Sequence, residues 1–445
     1  MKISRSVSRN NQQPYAIVIG LESMQGLQTA RILARHGIPV IAIAKDPKHN
    51  NCLTNVCKQI IIADTDSDEL IKTLEILGSK FDQKAVLFPC EDTSVLLVSR
   101  NRERLAATYH VTLPESDVVE MMTDKITFYT FAQKHGFPIP ATFFIYNRSD
   151  AEHAAKNLAF PCIMKPSIRT PEWERNTTLK VFRVSSAEEL LALYDQYHLW
   201  SKSLIAQEWI EGTDANLYSC NCYFDARSEP VVTFIARKLR QWPPRTGQSS
   251  LGEECRDDVV LQEAVRLFRS VGYRGLGYAE LKRDERSGKY FVMETNIGRP
   301  TGRSAIAEAG GVELIYTMYC DSVGWPLPAN LEQQYKGVKW IHLRRDFQSA
   351  LYYWRQGELT IGEWWKSWRG KKAYALFSWS DPAPFLGDLQ RSVRLFLSPE
   401  ERKKRDHRKP LAQSDSRPSE VGKTRESMED SASSVSSLIS VRRSS

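Results

Sequence analysis

Glu280, Glu294 and Asn296 lie in one stretch, Gly275-Leu-Gly-Tyr-Ala-Glu-Leu-Lys-Arg-Asp-Glu-Arg-Ser-Gly-Lys-Tyr-Phe-Val-Met-Glu-Thr-Asn296. Two strand-like runs flank the turn chemistry of Asp284 to Gly288, so the stretch reads as a hairpin. With the turn centred near Ser287, Glu280 pairs across the strands with Glu294, and alternation brings Asn296 to the same face. Ala279, Leu281, Phe291 and Met293 then form the opposite, core face. Two carboxylates and an amide oxygen on one surface repel unless a cation sits between them, and hard oxygen donors of this kind suit Mg²⁺. The same residues also read as a solvated strand face carrying incidental acids. The next segment, Glu294-Thr-Asn-Ile-Gly-Arg-Pro-Thr-Gly-Arg303, adds Arg299 and Arg303. Arginine suits bidentate recognition of carboxylate or phosphate; a basic surface loop is the plainer alternative.

These residues need elements to hold them. The first 110 residues alternate strands (Tyr15–Gly20, Pro39–Ala44, Gln59–Ala63, Ala85–Pro89) with helices (Leu27–His36, Ser67–Leu77, Thr93–Leu105), a doubly wound parallel pattern. Gly20-Leu-Glu-Ser-Met-Gln-Gly26 spans the first strand-to-helix turn but lacks GxGxxG spacing. A long helix is expected over Ser116–His135, then strands at Ala141–Tyr146 and Pro161–Lys165. Pro166–Thr178 reads as a long mobile loop, and residues 203–300 as strand-rich with one helix, Asp257–Val271.

In this order the motifs resemble those of the ATP-grasp ligases, in particular carboxylate–amine ligases similar to D-aspartate ligase and, more remotely, D-alanine–D-alanine ligase. The resemblance runs from about Tyr15 to about Gly324. It implies an N-terminal doubly wound pre-ATP-grasp domain followed by a two-lobed ATP-grasp fold, α/β and α+β in class. It implies ATP and Mg²⁺ as cofactors, with Mn²⁺ as the alternative ion, and assigns Glu280, Glu294 and Asn296 as metal ligands. Lys125, Lys165 and Lys238 match phosphate-contacting lysines. Ile205-Ala-Gln-Glu-Trp-Ile-Glu-Gly212 matches the adenine hinge, with Gln207, Glu208, Trp209 and Ile210 around the base, and Asp214 matches the acid that holds the ribose. Arg299 and Arg303 would hold the substrate carboxylate or the oxyanion. The segment after Lys165 has no glycine, so a phosphate lid would rest on side chains such as Arg169 or Thr177, or would close only when substrate binds.

The implied reaction is ATP-dependent amide formation through an acyl phosphate, with small-molecule carboxylate and amine substrates. Glu22, Ser23, Glu91 and Asp92 stand at strand ends of the first unit, where such sheets bind ligands, and suit a substrate amine; helix capping is the plain reading of the same acids. Two rivals are a non-catalytic nucleotide-binding module, which would lose the metal acids, and a dinucleotide-dependent oxidoreductase, which would need the absent glycine spacing.

The composition bounds these readings. The 445 residues are 42% hydrophobic and 26% charged, the make-up of a globular chain of two or three packed units. Domains are expected at 1–110 (Rossmann-like), 111–205 (small lobe with linker helix), 206–325 (large lobe), 326–397 (Trp-rich extension) and 398–445 (disordered Ser-rich tail). The net charge of +8 is mild and includes +3 from the tail, so nucleic acid is not expected as a partner. No run approaches the ~18–20 apolar residues of a membrane span, and the first 14 residues carry no apolar segment of the kind a secretory signal needs. Eight cysteines without CxxC pairs fit reduced thiols, and a cytoplasmic location is expected. Val338–Trp379 holds six of the eleven tryptophans among Lys and Arg; it either packs on the core or lies on an anionic membrane surface.

Overall fold

The computed structural model describes residues 13–168, 170–177, 181–245 and 247–397. Arg169, Thr178 and the tail from Ser398 lie outside the described residues. Three sheets organise the chain.

The first is parallel and contains β1 (Ala16–Ile19), β2 (Val40–Ala44), β3 (Gln59–Ile62), β4 (Ala85–Pro89) and β5 (Tyr109–His110) in the order β3-β2-β1-β4-β5. It is wound with α1 (Met24–Arg35), α2 (Asp68–Gly78), α3 (Asp92–Arg100) and α4 (Arg102–Leu105). β1, β2 and β4 are buried at every residue, which is why they read as continuous apolar runs rather than alternating ones. Ser23 caps α1 by accepting from the Gly26 N–H at 3.0 Å. Gly26 has no room for a side chain: a Cβ there would stand 2.2 Å from the Gly20 carbonyl oxygen. That glycine therefore serves the close approach of α1 to β1.

The helix expected over Ser116–His135 is two, α5 (Ser116–Thr123) and α6 (Lys125–Lys134). Asp124 leaves helical geometry and caps α6 by accepting from the Thr127 N–H at 2.9 Å, which places Lys125 in the first turn. Both helices bury apolar residues (Val119, Met122, Phe128, Tyr129) in a core shared by the first and third sheets, rather than in the small unit with which the sequence grouped them.

The second sheet is antiparallel: β6 (Thr142–Ile145), β7 (Cys162–Pro166), β8 (Phe182–Val184) and β9 (Leu204–Glu208), in the order β6-β9-β7-β8. With α7 (Arg148–Asn157), α8 (Pro171–Asn176) and α9 (Ala187–Tyr197) it encloses a core drawn only from residues 143–206. The domain boundary expected at 205 falls inside β9. The expected loop Pro166–Thr178 contains α8, because Thr170 caps it and Pro171 suits its first turn. Trp173 is fully buried there against Phe182, Tyr197 and Trp200.

The third sheet has seven strands: β10 (Leu217–Phe224), β11 (Pro230–Trp242), β12 (Gln248–Glu254), β13 (Gly275–Arg283), β14 (Tyr290–Ile297), β15 (Lys339–Ile341) and β16 (Lys372–Tyr374), in the order β14-β13-β10-β11-β12-β15-β16. The helices of this part are α10 (Asp258–Ser270), α11 (Ala305–Gly310), α12 (Leu314–Ser322), α13 (Leu343–Arg355), α14 (Ile361–Ser367) and α15 (Ala383–Leu397). The Trp-rich segment is thus part of the large sheet: β15 pairs with β12, and α13 packs on β11. A buried ion pair fixes it, with Arg240 Nε 2.8 Å from Asp346 Oδ1 and both Trp364 and Trp368 donating to Asp346 Oδ2. Such a carboxylate is tolerated away from water because every oxygen is paired. No helix among the described residues is long and apolar enough to cross a membrane.

Candidate active site

The hairpin of β13 and β14 places Glu280 directly opposite Glu294, the pairing expected from the turn. The register then slips, Leu281 facing Val292, so Met293 is an extra residue on β14. The bulge corrects the expected core face: Val292 joins Ala279 and Leu281 inside, while Phe291 and Met293 are only half-buried. Periodicity cannot anticipate one inserted residue, and the bulge leaves the Met293 carbonyl free to accept from Tyr129 Oη at 2.5 Å.

The three oxygen donors differ in how fully they are engaged. Glu280 is buried and satisfied by Lys238 Nζ at 2.9 Å, Tyr278 Oη at 2.8 Å and Arg303 at 3.1 Å. Asn296 Oδ1 accepts from Arg299. Glu294 accepts no hydrogen bond from any described residue; it is open to solvent on one side and crowded by protein on the others, as on a cleft floor. That enclosure, followed by the Glu280 carboxylate, raises its pKa, while Lys238, Lys165 and Lys125 pull it back. Three lysines from three different elements therefore act electrostatically on this carboxylate, although their own hydrogen bonds go to other groups.

Two of those lysines come from the small unit and its linker. Lys165 on β7 donates to Gln207 Oε1 on β9 at 3.0 Å and lies 3.3 Å from Tyr129 Oη. Lys125 donates to the Ser167 carbonyl at 3.1 Å. Tyr129, which no sequence pattern singled out, links Lys165 to the bulge on β14 and so ties the second sheet to the third.

The hinge residues run along the end of β9. Gln207 is fully buried and oriented by donating to Thr142 Oγ1 at 2.8 Å. The Glu208 N–H is given to the Ala141 carbonyl at 2.8 Å, and Ile210 is buried. Trp209 lies between Arg183 and Lys282, whose charged groups stand 5.3 and 4.8 Å from its ring, and its buried indole N–H has no partner among the described residues. Lys282 is itself buried, and burial lowers its pKa. It shares the face of Glu280 on β13 and was not anticipated as part of the site.

Asp214 acts electrostatically on Lys282 but makes its hydrogen bonds to other elements. Both its oxygens are taken, by the Gln241 backbone N–H at 3.0 Å, the Gln241 side chain at 2.7 Å and Tyr353 Oη at 2.6 Å. Tyr353 comes from α13, a residue no motif flagged.

Arg299 and Arg303 close the other side. Arg299 Nε lies 2.6 Å from Asp92 Oδ1, joining the first unit to the loop after β14. Arg303 lies against Tyr278 and Glu280; burial lowers its pKa to about 10, and one guanidinium nitrogen has no partner among the described residues. At the ends of β1 and β4, Glu22 accepts from the backbone of Lys45 and Asp46, and burial with nearby Asp66 and Glu22 raises the pKa of Glu91. A cavity of about 330 Å³ lined by Lys84, Arg102, His110 and Arg274 lies at the opposite end of β4, remote from these groups.

Comparison with solved structures gives the architecture a name. The biotin carboxylase domain of 2-oxoglutarate carboxylase from Hydrogenobacter thermophilus superposes with a TM-score of 0.57 at 15% identity, covering 72% of this chain and 71% of that one. N5-carboxyaminoimidazole synthetase from Staphylococcus aureus gives 0.56 at 14%, covering 72% and 80%. The chain has the ATP-grasp fold. Among curated proteins, D-aspartate ligase of Enterococcus faecium is 24% identical over 232 residues, 50% of this chain and 55% of that protein. A D-alanine–D-alanine ligase of Ralstonia nicotianae is 23% identical over 186 residues, 40% and 54%. The chain thus spans about half the length of the curated relatives it matches. No family model matches it.

Proposed function

We propose that this ATP-grasp chain is an ATP-dependent ligase that joins a carboxylate to an amine. The observation that carries the reading is the cross-strand pair Glu280–Glu294, with Lys238 donating to Glu280 and with Lys165 and Lys125 near enough to act on Glu294 electrostatically. A carboxylate that accepts no hydrogen bond from any described residue and feels three lysines suits the polyanion of a nucleotide together with a divalent cation. The donor set fits that ion: Glu280, Glu294 and Asn296 are all hard oxygen ligands, and Glu294 has no hydrogen-bond partner among the described residues. Bound there, Mg²⁺ or Mn²⁺ would neutralise phosphate charge as it develops.

The chain's own residues divide the remaining work. Lys125 and Lys165 hold phosphates from the small-unit side, and Lys238 does so from the large sheet, turning from Glu280 to the nucleotide. Gln207, Glu208, Trp209 and Ile210 receive the base; the unpaired Trp209 N–H is a donor for it. Asp214 meets a ribose hydroxyl through Oδ1, which accepts one bond, or by exchanging the bond from Tyr353 at Oδ2. Arg299 and Arg303 orient the substrate carboxylate, which attacks the γ-phosphate, breaking its bond to the β-phosphate so that ADP leaves, and becomes an acyl phosphate. Arg303 has an unused N–H for that anion or for the oxyanion formed when the amine displaces phosphate. Glu91, a strand-end acid of raised pKa, receives the amine. The proposed setting is the cytoplasm, where ATP is available.

The D-aspartate and D-alanine–D-alanine ligases among its relatives favour amino-acid-like substrates. The test is an ADP-release screen over paired carboxylates and amines, with mass spectrometry of the product. The expected result is ADP formed only with a carboxylate present and an amide product when an amine is added. ADP released at full rate without any carboxylate would overturn the reading in favour of a simple ATPase.

A further inference from the structure

The two faces of α13 have opposite fates. Asp346, Ser349, Ala350 and Tyr353 are buried against the large sheet. On the other side Phe347 is 57% exposed and Trp354 51% exposed, with the half-buried Leu351 between them at helical spacing. The following helix continues the surface: Ile361 and Trp365, one turn apart on α14, are 59% and 60% exposed. Ring contacts connect the two helices, Phe347 to Trp364 at 6.1 Å and Trp364 to Trp365 at 5.5 Å. Single exposed apolar residues are ordinary, but four large ones on adjoining helices mark an interaction surface.

Charge identifies the partner. The acids of this region are engaged within the protein: Asp346 by Arg240 and two indoles, Glu358 by Arg245 at 2.8 Å, and Glu363 by the Thr360 backbone and hydroxyl. Arg355, Lys366, Arg369 and Lys371 are exposed and make no ion pair among the described residues. Exposed tryptophans with cations beside them in the chain, Arg355 next to Trp354 and Lys366 next to Trp365, are complementary to an anionic lipid surface, where indoles sit at headgroup depth and lysines and arginines meet phosphates.

We propose that the exposed face of α13 and α14 docks this protein on anionic membranes as a peripheral protein. The experiment is co-sedimentation of the full-length chain with phosphatidylcholine vesicles containing about 30 mol% phosphatidylserine. The expected result is pelleting with these vesicles, none with phosphatidylcholine alone, and release at about 0.5 M salt. The double variant Trp354→Ser/Trp365→Ser, checked for an unchanged fold by circular dichroism, should partition at least about tenfold more weakly. Failure of the wild type to pellet would overturn the proposal. So would pelleting that the double variant leaves unchanged, which would assign binding elsewhere in the chain. Self-association abolished by the variant, without vesicle binding, would assign the face to a second copy.

Discussion

Lys238 Nζ stands 2.9 Å from Glu280 Oε1 although a whole strand, β10, lies between their own. The crossing is open because Ser219 of β10, paired with Glu280 on one side and Ala236 on the other, is too small to obstruct it. The pair is buried, so removing the lysine leaves a carboxylate short of positive charge.

Lys238→Met is therefore expected to destabilise the fold, by less than the about 3–5 kcal/mol of a fully broken buried pair, because Arg303 and Tyr278 still serve Glu280. Mg²⁺ or Mn²⁺ should restore part of that loss by supplying charge at Glu280. Denaturant unfolding with and without the ion measures both; a variant indifferent to either ion would contradict metal binding at Glu280.

Glu294→Gln should abolish turnover while leaving ATP affinity within about an order of magnitude, since on the proposed reading the base would be held at the end of β9 and only the metal's charge would be lost. Calorimetric ATP titration alongside ADP release separates the two effects. Wild-type turnover in the variant would refute the metal assignment.

The raised pKa of Glu294 gives metal binding a sign in pH. The folded state binds this proton more tightly than the unfolded chain, so without metal Glu294 lowers stability as pH rises from the ordinary carboxylate range through its raised pKa. A bound cation reverses that penalty. Mn²⁺ affinity should accordingly increase with pH across this window and binding should release a proton, both of which disappear in Glu294→Gln.

Lys282→Met should raise the melting temperature near neutral pH. Burial disfavours the Lys282 ammonium, so the wild type gains stability as pH rises from the lowered folded pKa towards the unfolded lysine value, and the advantage of Met shrinks over that interval. Paired thermal scans across alkaline pH check it; an equal gap throughout would contradict the charge origin.

Trp173→Ala is expected to cost about 3–5 kcal/mol in the small unit, as for an aromatic side chain removed from a packed core. Native-state hydrogen exchange in β7, β8 and α9 should accelerate. Protection unchanged in those elements would mean that the indole is not structural.

The Glu280–Glu294 pairing was legible because strand alternation and one turn determine it. The bulge at Met293 was not, since an inserted residue changes register without changing composition. Trp173 inside a polar run concealed α8: its neighbours Glu172, Glu174 and Arg175 are exposed, and only the tertiary contact with Phe182, Tyr197 and Trp200 reveals the burial. Tyr129, Lys282 and Tyr353 carry no motif at all. Their partners lie far along the chain, and a single tyrosine or lysine on an amphipathic segment looks like any other until the sheets are assembled.

The small unit has one property with a mechanical consequence. Its apolar core uses residues 143–206 alone, and the ties named between it and the rest of the site are polar, Lys165 to Tyr129 and Lys125 to Ser167. Phe144 of β6 adds one apolar anchor, since it packs on the core of the first and third sheets; opening the unit at the two lysines alone would exchange hydrogen bonds that water or phosphate can replace, and would leave its own interior intact. On the proposed reading, the charge-assisted contacts of a nucleotide would compete for those two ties. Lys125 and Lys165, which hold the unit in place here, are the same groups that the nucleotide would recruit, so the latch and the trigger are one pair of side chains.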